Sequence, residues 1–479
     1  MYYEKSNDKI ALDKNQIEFV CLDQLVPLDH LIRKVESAID FSFIHDYTKD
    51  YYSKDNGRPC LDTVTLFKII ILSFLFGKNS IRGILEETKV NMAYRWFLNL
   101  SLTGSVPNYS TFTQNYIRRY KDTDVFEKIF NRVVLALIEN KVVDSSVIFV
   151  DGTHIKANAN KKKFIKKQVN IAFTKFEEQI QDEINEFRRQ TGRNEFDYTD
   201  DDDDDNDPDV MIDEETGEVK NIKESKTINI SKVDPDSGMF VKGEHERQFA
   251  YVDQVACDRY GWVLAFDVNP GNTHDSKAFL PFLEKQILKY KPKVVCGDAA
   301  YNNTTIARFT AENNIQLLTP YVSPRGDKDP FNKGFKFYLE ANCYLCPNKK
   351  MLTYNNIDKN GYMQYQIEKH ECVDCPFKER CIKSYPKKVI RHHLYFDYLK
   401  YNRIFRLSQE GKEIYKQRKT SIERVFADAK ENHGLRYTRF RGLKKNRHLR
   451  CLLYACLNIK KLAILLYRRA SIQKDLITT

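Results

Sequence analysis

The sequence lacks the features that mark several classes of protein. Its first ten residues, MYYEKSNDKI, contain no apolar stretch, so we expect no secretory signal. The most apolar stretches, around Ile69 to Phe76 and Leu462 to Leu466, are too short to span a bilayer and are flanked by Lys or Arg. Neither a Walker loop nor a dinucleotide fingerprint is present, which argues against ATP and NAD as ligands. We therefore expect a cytoplasmic protein without membrane contact.

Acidic residues are scarce outside one segment. The 479 residues include 77 Lys and Arg against 66 Asp and Glu, a net charge of +11. Residues 196–219 hold 13 of the acids and no Lys or Arg, so the rest of the chain has 77 basic and 53 acidic residues, a net charge of +24. Such a surplus indicates a polyanionic partner, most simply nucleic acid. The acidic run, which contains Pro208, is predicted to be a disordered loop.

The apolar content of 42% is ample for a large core, and its pattern divides the chain into regions. Residues 1–142 predict a helical N-terminal domain, with one helix beginning after Asp62 as N-cap; such helices suit a DNA-binding domain, but they suit any other helical domain too. From Ser145 the pattern changes to short β-branched runs mixed with helices, which predicts a mixed α/β core in two parts, 143–335 and 396–470. A cysteine-rich insertion, 336–395, separates the two parts.

Within the predicted core, two short buried strands each end in an aspartate. SSVIFVDGTHI leads to Asp151, and KPKVVCGDAAY leads to Asp298. Between them we expect a charged helix over residues 161 to about 190, and a hairpin formed by RQFAYVDQVACD and GWVLAFDVNPGN. A helix over SKAFLPFLEKQILKY precedes the second strand, and the chain is predicted to be helical and basic from about Tyr398 to Leu466.

Carboxylates at the ends of neighbouring strands can hold Mg²⁺ or Mn²⁺, which prefer oxygen ligands. Glu423, on a predicted helix, is the candidate for a third ligand, and Lys419 and Lys430 share its helical face. Two strand-end aspartates and a helical glutamate suit two-metal phosphoryl transfer, in which one ion activates the nucleophile and the other stabilises the leaving oxygen. The sequence thus predicts Asp151, Asp298 and Glu423 as catalytic metal ligands.

Five cysteines in the insertion have the spacing of a structural zinc site. Two C-x2-C pairs, followed by one more cysteine, can supply four thiolates in tetrahedral geometry. These residues are Cys343, Cys346, Cys372, Cys375 and Cys381. Spacing alone favours Cys343 with Cys346 as one pair, and His370 is a further possible ligand. The remaining six cysteines lack metal-binding spacing and are predicted to be buried free thiols.

The third constellation is the basic stretch HGLRYTRFRGLKKNRHLR. Positions 400–450 carry 16 Lys and Arg against five acids. Arginine and lysine neutralise phosphates, and the interleaved Tyr437 and Phe440 could stack on bases. We predict DNA contacts at Arg436, Arg439 and Arg441 within this stretch.

Three strings resemble the signature regions of the DDE transposases of bacterial insertion sequences: VDGTHIKANANK, CGDAAYNN and SIERVFADAKENHGLRYTRFRGL. NGRPCLDTVTLFKIIILSFLFG, YRWFLNL and VPNYSTFTQ are similar to the helical N-terminal domain of one branch of these enzymes, and DPDSGMFVKG also fits. The resemblance covers nearly the whole chain in the correct order. It implies a ribonuclease-H-like mixed-sheet core, and it gives Asp151, Asp298 and Glu423 the role of ligands for two Mg²⁺ (or Mn²⁺) ions.

The chain departs from the related Tyr-Arg-Glu-Lys signature at one point. Tyr415 and Arg418 have the expected spacing, but four residues instead of three separate Arg418 from Glu423. Either Arg418 or Lys419 could therefore contact phosphate as the signature arginine, whereas Lys430 stands at the expected distance from Glu423. Glu413 and Glu431 are alternative acids without this flanking pattern.

The same resemblance bears on the zinc ligands and on the function. In similar transposases the zinc set corresponds to Cys346, Cys372, Cys375 and Cys381, which leaves out Cys343. The implied activity is metal-dependent cleavage at the terminal inverted repeats and strand transfer to target DNA, by a homodimer in a synaptic complex associated with the bacterial nucleoid. The alternatives are a transposase-derived DNA-binding protein without catalysis and a metal-dependent nuclease without strand transfer.

Overall fold

A computed structural model describes residues 19–53, 55–56, 60–78, 80–172, 174–198, 210–212, 219–242, 246–320, 334–382 and 385–478. The chain forms two compact units. The first consists of Met1–Val142, Asp428–Leu435 and His448–Thr479, and the second of Val143–Ala427 and Arg436–Arg447. Most of the predicted acidic loop, 196–219, lies outside the described residues. In the part of the chain that is described, no helix is both long and apolar enough to cross a membrane.

The N-terminal part of the first unit is helical, which confirms the prediction from its sequence. Its helices are α1 (Leu22–Leu25), α2 (Leu31–Ala38), α3 (Phe43–Thr48), α4 (Thr63–Leu75), α5 (Ile81–Thr88), α6 (Met92–Phe97), α7 (Tyr109–Asn115) and α8 (Val125–Glu139). Asp62 caps α4 as predicted, since its Oδ2 accepts a hydrogen bond of 2.7 Å from the Thr65 N–H. Helix α4 is buried on almost every side, and with α8 it forms the core of this unit.

The second unit alternates strands and helices. It contains β1 (Val147–Lys156), β2 (Phe164–Ala172), α9 (Lys175–Gln190), β3 (Val210–Ile212), β4 (Val219–Ser231), β5 (Gly238–Lys242), β6 (Glu246–Asp258), β7 (Val263–Pro270), α10 (Asp275–Phe282), β8 (Val294–Cys296), α11 (Thr304–Glu312) and β9 (Gln316–Leu318). The cysteine-rich region follows with β10 (Lys336–Tyr338), β11 (Cys343–Leu345), β12 (Met351–Ile357), β13 (Tyr362–Gln366), α12 (Lys378–Cys381) and β14 (Val389–His393). The remaining helices of the chain are α13 (Phe396–Leu407), α14 (Gln409–Lys416), α15 (Ile422–Asn432) and α16 (Leu443–Thr478). The end of α15 and most of α16 belong to the first unit.

A mixed sheet forms the centre of the second unit. Its strand order is β5-β6-β1-β8-β9, and β7 also pairs with β6. The β1–β6 and β6–β7 pairs are antiparallel, whereas the β1–β8 and β8–β9 pairs are parallel. Residues 147–150 of β1 are buried, as expected for a central strand. The predicted hairpin and the predicted mixed α/β class are both confirmed.

Two predictions about local structure are wrong. The predicted helix over 161–190 is a strand followed by a helix, because β2 pairs along its whole length with β4. The strand that carries Asp151 does not end there but continues to Lys156, because β1 stays paired with β6 after its pairing with β8 stops at Phe149. Asp151 therefore lies inside β1, two residues beyond the last residue of β1 that pairs with β8.

The cysteine-rich region is a five-stranded antiparallel sheet of order β10-β11-β12-β13-β14. Its core includes Leu352, Ile357 and Tyr365, and Ile184 of α9 is buried in the same cluster. Helix α9 thus packs against this sheet, although 145 residues or more separate it from β10 in the chain.

Candidate active site

Asp151 and Asp298 lie on neighbouring parallel strands at the same level. The last paired residues of β1 and β8 are Phe149 and Cys296, and each aspartate follows its strand's last pair by two residues. Paired strands lie about 4.8 Å apart, so the two backbones bring both carboxylates to one edge of the sheet. Both side chains are partly buried.

Each aspartate is held by its local backbone. The Asp151 Oδ1 accepts a hydrogen bond of 2.9 Å from the Gly152 N–H. Asp298 caps the 3₁₀ turn Ala299–Tyr301, and its Oδ1 accepts a hydrogen bond of 2.5 Å from the Ala300 N–H. These contacts fix the direction in which each carboxylate points, and carboxylate oxygens are the ligands that Mg²⁺ and Mn²⁺ prefer.

Arg418 binds Asp151 directly. Its guanidinium donates a hydrogen bond of 2.6 Å to the Asp151 Oδ2, and its side chain is only 9% exposed. Burial alone would lower the pKa of Arg418, but the Asp151 charge and a hydrogen bond with Tyr415 raise it above its usual range. Lys419, the other residue that the sequence left open, is exposed. Arg418 is therefore the basic residue that the structure places against a predicted metal ligand.

Glu423 and Lys430 occupy different parts of α15. Glu423 is exposed in the first turn of the helix, five residues after Arg418. Lys430 is in the last turn, in the segment that belongs to the first unit. The described residues contain no group of three or more His, Cys, Asp or Glu side chains already arranged around one metal position. Asp151 and Asp298 are thus brought to one edge, whereas Glu423 is not shown in contact with them.

The predicted DNA-binding arginines run beside the end of β1. Tyr437 forms a parallel bridge with Lys156, and the Thr438 N–H donates to the Lys156 carbonyl at 3.0 Å. Further on, the Asn158 side chain donates to the Arg439 carbonyl at 2.8 Å. The side chains of the three arginines at this edge are exposed: Arg436, Arg439 and Arg441.

Asp234 anchors this basic segment, a role that the sequence analysis did not assign. Its buried carboxylate accepts hydrogen bonds from the Gly442 N–H at 2.9 Å and the Tyr251 hydroxyl at 2.8 Å. Asp236 accepts from the Leu443 N–H at 2.8 Å. Burial raises the pKa of Asp234 above its ordinary value. The motif in the sequence is DPDSG, with two aspartates and a proline in one turn. It resembles the transposase pattern, but nothing in it indicates which residues the aspartates bind.

Four of the five candidate zinc ligands line one small cavity. Cys346, Cys372, Cys375 and Cys381 surround a volume of about 20 Å³. The Lys350 N–H donates to the Cys346 Sγ at 3.3 Å. Burial, together with the neighbouring cysteines, raises the pKa of Cys381. Cysteine thiolates are the ligands of structural Zn²⁺ sites, but in the described residues these four side chains are not already arranged around one metal position.

The other candidates in this region lie elsewhere. Cys343 is buried within β11, and the described lining of the cavity does not include it. The side chain of His370 is 77% exposed and pairs with Glu371. All eleven cysteines are free thiols, but Cys21 and Cys60 are exposed, contrary to the prediction that every cysteine outside the zinc set is buried. Both precede helices of the first unit, where the chain runs over the surface.

Comparison with known proteins gives two matches along the chain. Residues 20–118 match a family model described as a transposase domain (DUF772). Residues 345–463 match a transposase DDE domain, and this span includes the four-cysteine cavity and Glu423. No curated protein gives a significant match. The two transposase models match in succession, the first on the helical N-terminal region and the second on the cysteine-rich region and the basic helices, and together they support a DDE transposase of insertion-sequence type.

Proposed function

We propose that this transposase hydrolyses one strand at each end of its element and joins the freed 3′-hydroxyl to target DNA. DDE transposases are enzymes that act on DNA and generally use divalent metal ions. In this chain Asp151, Asp298 and Glu423 would hold two Mg²⁺ or Mn²⁺ ions. When bound, these ions would activate the attacking oxygen and stabilise the leaving oxygen.

The observation that carries this proposal is the position of Asp151 and Asp298. They follow in-register residues of parallel strands, and backbone N–H groups orient both carboxylates. The sheet order supports a ribonuclease-H-like core, since three antiparallel strands, β7, β6 and β1, are followed by the parallel strands β8 and β9. Glu423 would complete the set from α15, where its exposed side chain can turn toward solvent or toward a bound ion.

The basic residues of the second unit would position the DNA. Arg418 is fixed by Asp151, so its guanidinium lies beside the oxygen atoms that would receive the metal. A phosphate at this position would meet one fixed cation, and Lys419, the next residue, would add charge nearby. Lys430, in the segment that belongs to the first unit, stays a predicted phosphate contact. Arg436, Arg439 and Arg441 would bind the backbone further from the cleaved bond.

We further propose that Cys346, Cys372, Cys375 and Cys381 hold a structural Zn²⁺ ion. The ion would join the loop after β11 to the turn that contains α12, two segments that otherwise contact each other through a small apolar cluster. Its role is structural, because it lies in the cysteine-rich sheet and not beside the two aspartates. A homodimer on paired terminal repeats, acting at the nucleoid, is the assembly in which two ends would be joined.

A cleavage assay tests the catalytic proposal. The substrate is a plasmid that carries the gene with its flanking DNA, which includes both element ends, and strand breaks are mapped by primer extension. Full-length protein with Mg²⁺ should nick at the two boundaries, and Asp298→Asn should abolish the nicks. Asp182→Asn, an exposed acid on α9, is the matched control and should nick normally.

The products distinguish the remaining possibilities. Joined products with added target DNA would support strand transfer, whereas nicks without joining would indicate a nuclease. Binding to the ends without any metal-dependent nick would contradict the enzymatic proposal and favour a DNA-binding protein.

A further inference from the structure

An open basic cavity lies on the second unit, away from the carboxylates. It has a volume of about 670 Å³ and is lined by Lys161, Lys162 and Arg247 together with Phe164 and Met239. Among its described lining residues there are three cations and no carboxylate. The cations are exposed, whereas Phe164 and Met239 pack against a buried cluster that includes Phe249 and Tyr251. The cavity thus has an apolar floor that packs against the core and a positively charged rim.

Regular structure holds each side of this cavity. Met239 and Val241 of β5 pair with Phe249 and Arg247 of β6, so the arginine is fixed on a strand. On the other side, the Asn160 side chain accepts a hydrogen bond of 2.9 Å from the Lys162 N–H, which shapes the turn before β2. Arg247 is therefore presented by a strand, and Lys161 and Lys162 by the turn before β2.

The sheet also fixes the distance from the cavity to the candidate active site. Asp151 is paired with Val255 of β6, and Arg247 precedes Val255 by eight residues on the same strand. At about 3.3 Å per residue, the two positions lie roughly 26 Å apart along β6. Double-stranded DNA rises about 3.4 Å per base pair, so this separation corresponds to about eight base pairs.

Positive charge is present along the way. Lys156 is paired with Ala250, between Val255 and Arg247, and the segment that carries Arg436, Arg439 and Arg441 is hydrogen-bonded beside it. A strip of cations therefore runs from the carboxylates to the cavity. A strip of this length suits a polymer of phosphates better than a single small anion. A site for a small anion would more typically be a closed pocket lined by backbone N–H groups.

We propose that this cavity is a second DNA-contact site, which binds the backbone of double-stranded DNA about eight base pairs from the phosphate at Asp151 and Asp298. The cations would contact phosphates, and Phe164 and Met239 would lie against the sugars. The inference rests on the proposed function for the identity of the first position, but the binding itself requires neither metal nor catalysis.

The test compares DNA affinity in two triple variants without metal. The first is Lys161→Gln, Lys162→Gln, Arg247→Gln, and the control with the same charge change is Lys277→Gln, Lys285→Gln, Lys293→Gln, exposed positions that do not line the cavity. Binding of the full chain to labelled hairpins with 6 and 20 base pairs is measured by fluorescence anisotropy at several salt concentrations. Each lost phosphate contact lowers the slope of log K against log salt by about 0.9.

We expect the affinity of the cavity variant for the 20-base-pair hairpin to fall roughly tenfold, and the magnitude of its slope of log K against log salt to fall by about two to three. The affinity for the 6-base-pair hairpin should change little. Equal losses in both variants, or no loss in the cavity variant, would overturn the proposal. If the triple variant fails to fold, the exposed single change Lys162→Glu gives the same comparison. The two proposals can fail separately. If the native chain nicks DNA but the cavity variant has the same salt slope as the native chain, this DNA-contact site is rejected and the catalytic proposal stands. If the cavity variant has a reduced salt slope but the native chain does not nick DNA, the catalytic proposal is rejected and this site stands.

Discussion

At the scale of single residues, the pairing of Arg418 with Asp151 links the basic and acidic halves of the candidate site. A buried guanidinium within hydrogen-bonding distance of one carboxylate occupies a direction from which a metal ion could also approach. Two roles follow for Arg418. It holds Asp151 in place, and it would compete electrostatically for the same oxygen with the metal ion that we propose there.

Arg418→Gln should therefore strengthen metal binding while it impairs cleavage. Without the positive charge, Mn²⁺ affinity should rise by roughly tenfold, about 1.4 kcal/mol, in a titration of DNA-free protein followed by electron paramagnetic resonance. Lys419→Gln, one residue away and exposed, should leave Mn²⁺ affinity unchanged. Equal or weaker Mn²⁺ binding by Arg418→Gln would show that the arginine does not compete with the ion.

At the scale of elements, the turn after β4 determines where the basic segment lies. Asp234 is buried and joins the backbone of Gly442 to Tyr251 on β6. Gly238 begins β5 at the end of this turn, and it lies so close to the Asn272 side chain that a Cβ would not fit there. The sheet and the segment with the predicted DNA-binding arginines are thus connected through one carboxylate.

Asp234→Ala should lower both stability and DNA affinity. It leaves the Gly442 N–H and the buried Tyr251 hydroxyl without their acceptor, which costs about 2–4 kcal/mol in the free energy of unfolding. Asp236→Ala removes an exposed acceptor of the Leu443 N–H and should cost under about 1 kcal/mol. Urea unfolding and anisotropy on the same preparations measure both effects, and similar stabilities for the two variants would contradict the anchoring role.

The cysteine-rich sheet gives a second prediction at this scale. Native protein should contain about one zinc ion per chain, and Cys343→Ser should retain it, because Cys343 lies in β11 outside the four-cysteine cavity. Cys372→Ser should lose it. Metal analysis of the purified variants decides the ligand set, and loss of zinc in both would restore the pairing of Cys343 with Cys346 that spacing alone favoured.

At the scale of the whole molecule, charge is distributed unevenly, because residues 196–219 hold 13 acids and no Lys or Arg. The structure shows which of these residues can be deleted to test whether they weaken DNA binding. Phe196 is hydrogen-bonded to Asn185 of α9 and its ring lies under Arg188, so the described start of the run is part of the fold. An informative deletion must spare it. Removing residues 199–209 takes out eight acids and changes the net charge from +11 to +19.

This deletion should leave the unfolding temperature unchanged and tighten non-specific DNA binding at low salt, since fewer acids repel the phosphates. Replacing the same residues with Gly and Ser controls for length. If the deleted and native chains bind DNA with equal affinity at low salt, the acidic run has no masking effect.

The sequence predicted the parts of the fold that local patterns determine. Asp62 before α4, the hairpin of β6 and β7, and the strand before Asp298 follow from capping and alternation within a few residues. Strand β2 was predicted as a helix because its partner, β4, comes about 50 residues later, and a charged edge strand has no strong alternation of its own. For the candidate site, the carboxylates could be predicted from strand ends, whereas the contact between Arg418 and Asp151 joins residues 267 positions apart.

The first unit is built from segments at both ends of the chain, and this limits when it can fold during translation. Its core includes Leu452, Tyr454 and Cys456, which are almost completely buried, and the His433 imidazole is hydrogen-bonded to the Phe74 carbonyl. Gly77 lies so close to Asn432 that a Cβ would be 2.7 Å from its carbonyl oxygen. A ribosome that has made only the first 142 residues has therefore not yet supplied the side chains that close this core. The helical unit can finish folding only after the second unit has been translated, so a nascent chain cut short before α16 would expose apolar surface to chaperones and proteases.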